Sequence, residues 1–194
     1  MTPFLPTLLT IALAEVGNGV SRTSGKLVGQ PGAPSVPLAA LSLVAAGSMV
    51  LAACGAVALH VFEPNSDLSR ARALLLGLGL VWAAAGQFRT PQEVSVAEGG
   101  SGFVVALRSY ARAMFTNRSG MVVFGIALIA GGRPIAALGA ALGGCFGLIA
   151  ASLPPLLLTR RQFRKIPMSS VRLLAGLALA IGGFYYLLQA LGLL

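Results

Sequence analysis

Two short runs of polar residues interrupt otherwise apolar stretches of the sequence. They consist of Glu15, Gly17 and Asn18 in the first run, and of Asn117, Arg118 and Ser119 in the second. Ionisable side chains are expensive inside a bilayer, so those that occur there usually line a transport path or pair with one another. A glycine that breaks a helix also frees backbone carbonyl groups, which can face a cation. Solute binding inside a membrane is therefore the chemistry that these residues predict.

The composition indicates a membrane protein. Of the 194 residues, 56% are hydrophobic and only 10% are charged, whereas a soluble domain averages about 25% charged residues. A disordered chain is excluded as well, because such chains have low hydrophobicity. A helical span needs about 20 apolar residues, so the chain has room for about six spans. We expect an all-α polytopic membrane protein.

Turn and loop residues divide the chain into six expected spans. Their approximate bounds are 3–27, 37–62, 68–87, 103–129, 134–158 and 169–194. The longest polar stretch, 89–102, is the expected linker between a first half, 1–88, and a second half, 103–194. Each half then contains three spans. Glycines between 139 and 147 are expected to form a close-packing helix face.

The two halves resemble each other. Residues 72–78 align with 171–177 at an offset of 99, which also aligns Asn18 with Asn117. Residues 37–41 align with 134–138 at an offset of about 97. Chance similarity between Leu-, Ala- and Gly-rich helices is the alternative explanation. A repeat with an odd number of spans must be inverted in the membrane, so we expect two inverted three-helix repeats.

Basic residues orient the chain. The formal net charge is +9, and Lys and Arg accumulate in cytoplasmic loops of membrane proteins. One face would carry Arg22, Lys26, Arg89, Arg108, Arg112, Arg160, Arg161, Arg164, Lys165 and Arg172. This face is the expected cytoplasmic side of a bacterial inner membrane, with both termini outside. Nucleic acid is not an expected partner, because no basic face is interleaved with stacking aromatic residues.

Residues 14–18 resemble a known motif. They are similar to the E-x-G-D-[KR]-[TS] signature of the transmembrane protein 165-like family, six-span proteins regarded as manganese or calcium exchangers coupled to protons. Each half of such a protein carries one copy, and the second copy here would be residues 114–119. Glu15 and Gly17 match in the first copy, and Arg118 and Ser119 match in the second. Asn18 and Asn117 replace the aspartates, and Met114 replaces the second glutamate.

The resemblance implies a transporter whose candidate residues are Glu15, Asn18, Asn117, Arg118 and Ser119. It implies a metal site formed by Glu15, Asn18 and Asn117, with the divalent cation as transported substrate and no resident cofactor. Glu15 is the sole acidic residue within the expected spans, so it would also carry the coupling proton. A hard divalent cation prefers several carboxylate oxygens. A monovalent or neutral cargo would therefore fit the remaining charge better.

Other functions remain open at this level. Glu15 and Arg118 could form a buried ion pair that holds the halves together, and the asparagines could bond neighbouring helices. The chain would then be a transport-inactive structural or accessory subunit of a larger membrane complex. The expected partners are the lipid bilayer and either a second copy of the chain in a homodimer or a larger membrane complex. An exporter of small organic solutes is a third possibility. No phosphate-binding glycine loop, zinc-protease motif or serine-hydrolase motif is present, so we do not expect an enzyme.

Overall fold

The computed structural model describes residues 3–27, 35–62, 69–89, 102–115, 119–130, 133–158 and 166–193. Within these ranges the regular secondary structure is entirely helical. The helices are α1 (Phe4–Glu15), α2 (Gly19–Leu27), α3 (Ser35–Phe62), α4 (Ser69–Phe88), α5 (Gly102–Phe115), α6 (Ser119–Ile129), α7 (Pro134–Leu157) and α8 (Met168–Ala190). The expected all-α class is therefore confirmed.

Four helices, α3, α4, α7 and α8, are long and apolar enough to cross a membrane. The pair α1 and α2 also passes this test when taken together, although the two helices meet at a bend of 66°. By length and composition the described residues thus hold four or five candidate spans, and α6 is apolar but shorter. The chain is consistent with a multi-pass membrane protein.

Many large apolar side chains point away from the helix bundle. Leu51, Ile135 and Ile181 are 74%, 80% and 71% exposed. A protein in water rarely shows a continuous apolar surface of this kind. In a bilayer these side chains would contact lipid, since the lipid tails are as apolar as leucine.

Glycines allow α1 and α7 to approach closely. A Cβ atom on Gly143 would collide with the backbone carbonyl of Phe4, and one on Gly147 would lie 2.7 Å from the carbonyl oxygen of Leu8. The expectation of a packing face between residues 139 and 147 is confirmed at these two positions. Small residues at helix contacts are typical of membrane proteins, where van der Waals packing drives association.

Glycines also allow α4 and α8 to approach closely. A Cβ atom on Gly77 would lie 3.0 Å from the carbonyl oxygen of Gly183, and one on Gly183 would lie 3.0 Å from the backbone nitrogen of Val81. Helix α6 contacts both α4 and α7. The central core includes Leu41 and Met49 of α3, Tyr110 of α5, and Val122 and Leu128 of α6. The core consequently includes helices from both halves of the chain.

Candidate functional site

The first helix break is centred on Gly17. Helix α1 ends at Glu15 and α2 begins at Gly19, and Gly17 has a φ angle of +66°. This left-handed conformation is free of strain only without a Cβ atom. Gly17 therefore determines where the helix breaks.

Glu15 is the last residue of α1 and is only 1% exposed. The hydroxyl group of Ser119 donates a hydrogen bond of 2.8 Å to one oxygen of its carboxylate. Ser119 is the first residue of α6. The structure thus brings together a residue from the break in the first half and a residue that follows α5 in the second half.

Asn18 acts within its own helix break. Its side-chain amide donates to the carbonyl oxygen of Ala14 at 3.2 Å, and its backbone N–H donates to the carbonyl oxygen of Glu15 at 3.0 Å. The amide group therefore satisfies a carbonyl at the end of α1. Two further candidates, Asn117 and Arg118, lie outside the described residues.

Gln87 satisfies carbonyl groups of α1 next to the break. Its side-chain nitrogen donates to the carbonyl oxygens of Leu13 at 2.9 Å and of Ala14 at 2.6 Å. Gln87 itself is 3% exposed and lies in the last turn of α4. Buried carbonyls at a helix end need such donors, because water cannot reach them.

Arg172 completes this arrangement and was not among the candidates from sequence. It is 9% exposed and donates from Nε to the side-chain oxygen of Gln87 at 3.2 Å. Its Nη2 donates to the backbone oxygens of Gln87 and Arg89, both at 2.8 Å. The guanidinium group therefore caps the carboxyl end of α4. A signal was present, since Arg172 is an ionisable residue inside an expected span.

The break lies near one end of the neighbouring helices. Gln87 is in the last turn of α4, and Arg172 is in the second turn of α8. The expected span of residues 3–27 would place Glu15 at mid-span if α2 continued the direction of α1. The bend of 66° removes that continuation, so the break lies level with the ends of α4 and α8.

A further hydrogen bond joins the two halves. The hydroxyl groups of Ser24 on α2 and Tyr110 on α5 are 2.8 Å apart, and both residues are buried. Together with the bond between Glu15 and Ser119, it ties the first expected span to the fourth at two places. Neither Ser24 nor Tyr110 was a candidate from sequence, because each is an ordinary helix residue without its partner.

The described residues do not fit a divalent cation in this conformation. Glu15 is the only Asp or Glu among them, and they contain no group of three or more His, Cys, Asp or Glu side chains that could hold a metal. Backbone oxygens at the break already accept hydrogen bonds from Asn18, Arg22 and Gln87. A hard divalent cation needs several oxygen ligands and negative charge to offset its own.

Comparisons with protein-family models, with curated proteins and with solved structures find no match to the chain. Its function consequently has to follow from its own residues and helix arrangement.

Proposed function

We propose that the chain is a membrane transporter made of two inverted three-helix repeats, in which Glu15 carries a coupling proton. The six spans would be the pair α1–α2, α3, α4, the pair α5–α6, α7 and α8. The observation that carries the proposal is the hydrogen bond of 2.8 Å between Ser119 and Glu15. It joins the end of α1 in the first half to the start of α6 in the second half, around a buried ionisable group.

The pattern of helix contacts supports the repeat. In the proposed repeat, α1 corresponds to α5, α2 to α6, α3 to α7 and α4 to α8. The counterpart of the α1–α7 contact is therefore the α5–α3 contact, and both occur. The same correspondence relates α2–α7 to α6–α3, and α1–α6 to α5–α2, and these four contacts also occur. The contacts α3–α7 and α4–α8 map onto themselves. A pseudo-twofold arrangement of inverted repeats would produce these correspondences. Other contacts depart from it: α4–α6, α6–α7 and α1–α8 occur, whereas α8–α2, α2–α3 and α5–α4 do not form comparable contacts between the described residues.

The environment of Glu15 suits a group that gains and loses a proton during transport. Burial disfavours the charged form of a carboxyl group, while a hydrogen bond donated to the carboxylate favours it. A motion that separates Ser119 from Glu15 would remove this hydrogen bond and change the surroundings of the carboxyl group. Rocking one repeat against the other, as in alternating access, would supply that motion.

The choice of cargo depends on which ligand groups the described residues can offer. The family resemblance favours manganese or calcium, whereas a single described carboxylate favours a monovalent cation or a neutral solute. Transport assays should therefore include all of these classes. Glu15 remains the proposed coupling residue in each case, because it is the one acidic residue within the expected spans.

Reconstituted vesicles that contain a pH-sensitive dye test this proposal. We expect the wild-type protein to move protons when a gradient of Mn²⁺, Ca²⁺, Na⁺, K⁺ or a small neutral solute is imposed. Glu15→Gln should abolish the proton movement, since the amide cannot titrate. Thr10→Val is the matched control, because its hydroxyl bonds to the Pro6 carbonyl of its own helix. Proton movement in none of the gradients, or equal movement in Glu15→Gln, would refute the proposal.

A structural or accessory subunit is the second candidate function. It is favoured by the side chains of Asn18, Arg22 and Gln87, which already occupy carbonyl groups at the break. In that case Glu15→Gln would lower the thermal stability, the wild-type protein would show no flux, and the protein would co-purify with a fixed partner. Flux by the purified protein alone distinguishes the transporter from the subunit.

A further inference from the structure

Two arginines converge on Gly17. The Nε of Arg22 donates a hydrogen bond of 3.1 Å to the carbonyl oxygen of Gly17. On the other side, the Cδ of Arg172 would lie 3.0 Å from a Cβ atom at Gly17. The missing side chain of Gly17 thus leaves the space that the stem of Arg172 occupies, and both guanidinium groups lie next to the break.

Within the described residues, no carboxylate pairs with either arginine. Neither Arg22 nor Arg172 forms an ion pair within the part of the chain that the structure describes, where Glu15 is the one acidic residue. Both side chains lie beside the same residue, Gly17. Like charges that are partly removed from water are costly unless an anion compensates them.

Both side chains also have N–H groups that donate to none of the described residues. Arg22 uses only Nε, and Arg172 uses Nε and Nη2, in their bonds to described residues. Both Nη atoms of Arg22 and Nη1 of Arg172 donate to none of these residues. Arg22 is exposed, so the pair is reachable from outside the helix bundle. Guanidinium groups bind phosphate oxygens through paired donors, which makes them suited to oxyanions.

We propose that Arg22 and Arg172, on either side of Gly17, form a binding site for a phosphate-type oxyanion. The oxyanion is either the headgroup phosphate of an anionic lipid or a free phosphate in solution. The site goes beyond the proposed transport function and does not depend on it. A bound oxyanion would offset the positive charges of the two guanidinium groups and hold α2 to the first turns of α8.

Two binding measurements on the purified full-length protein test the site and separate the two sources. Inorganic phosphate is titrated in detergent at constant ionic strength, with thermal unfolding as the readout. Retention of phosphatidylglycerol against phosphatidylcholine is measured by native mass spectrometry. The variants are Arg22→Gln, which alters an exposed side chain, and Arg172→Lys. Arg70→Gln is the control, because Arg70 is exposed at the opposite end of α4.

We expect at least one of the two ligands to bind the wild-type protein, and Arg22→Gln to bind it at least about tenfold more weakly. Arg70→Gln should bind like the wild type. Phosphatidylglycerol retention without phosphate binding assigns the site to lipid, and saturable phosphate binding assigns it to a free anion. Equal binding of both ligands by the wild type and Arg22→Gln would overturn the proposal, as would the absence of binding. If Arg172→Lys does not fold, Arg22→Gln decides the matter alone.

Discussion

Ser119 donates a hydrogen bond of 2.8 Å to the carboxylate of Glu15, which lies 104 residues earlier in the chain. Both residues are 1% exposed. The bond connects the end of α1 with the start of α6, so it joins the two proposed repeats. Its contribution to stability can be measured separately from transport.

Replacement of Ser119 by alanine should destabilise the protein. The buried carboxylate of Glu15 would lose this donor, and the expected decrease in the free energy of unfolding is about 1–2 kcal/mol. Thermal unfolding in detergent measures it. The control is Ser42→Ala, because the Ser42 hydroxyl bonds to the Leu38 carbonyl of its own helix. Equal effects of the two substitutions would contradict the proposed link between the halves.

Gln87→Leu should be more damaging. Its side chain donates to two carbonyl oxygens of α1 and accepts from Arg172, and leucine can do neither. Because unsatisfied buried polar groups are expensive, we expect a loss of about 2 kcal/mol or more. Gln189→Leu on the exposed surface of α8 is the matched control and should change little. A Gln87→Leu protein as stable as this control would show that the hydrogen bonds are unimportant.

Some of these residues can be detected from the sequence alone, and others cannot. Glu15 and Gly17 are detectable because a charge inside an apolar stretch and a helix-breaking glycine are local signals. Four of the expected spans coincide closely with α3, α4, α7 and α8, since apolar length alone defines them. The break in the first span was also expected at residues 17–19.

Gln87 could not be identified in this way, and the charge of Arg172 gave no indication of its partners. Their role depends on α4 and α8 packing together and on the end of α1 lying beside them, which are long-range contacts. By charge alone, Arg172 belonged with the basic residues of the cytoplasmic face. The direction of α2 was equally unpredictable, because a positive φ angle at Gly17 permits a bend without fixing its size.

Gly17→Ala and Gly19→Ala should have opposite outcomes. Alanine at position 17 would have to adopt a φ angle of +66° and displace Arg172, and the left-handed conformation alone costs about 1–2 kcal/mol. Apart from its own helix backbone, no atom of the described residues lies within 4 Å of a Cβ atom at Gly19, so alanine there should be neutral or stabilising by up to about 1 kcal/mol. Unfolding measurements on both variants compare them, and equal stabilities would contradict the described break.

Gly143→Ala should separate α1 from α7. The added Cβ atom would collide with the backbone of Phe4, which cannot move aside without shifting the whole of α1. We expect reduced thermal stability and, through displacement of Glu15, loss of any proton-coupled flux. Gly47→Ala is the control in an open position of α3, with no atom within 4 Å. Should Gly143→Ala behave like this control, the close contact between α1 and α7 would be incorrect.

The inverted repeat requires α1 and α2 to cross the membrane as one broken span. Helix α1 has 12 residues and is about 18 Å long, which is shorter than the hydrocarbon core of about 30 Å. The pair therefore spans only if α2, bent by 66°, and the chain after it complete the crossing. If the pair instead returned to its starting side, the first repeat would have two spans and the inversion would be lost.

Membrane sidedness in cells tests this central claim most directly. Single cysteines at Ser35, Arg133 and Ser170, in a background without Cys54 and Cys145, are labelled with a membrane-impermeant reagent, and each terminus carries a tag. Two inverted repeats predict that both tags and Arg133→Cys react from outside, and that Ser35→Cys and Ser170→Cys react only from the cytoplasmic side. An N-terminal tag on the same side as Ser35→Cys would contradict the account.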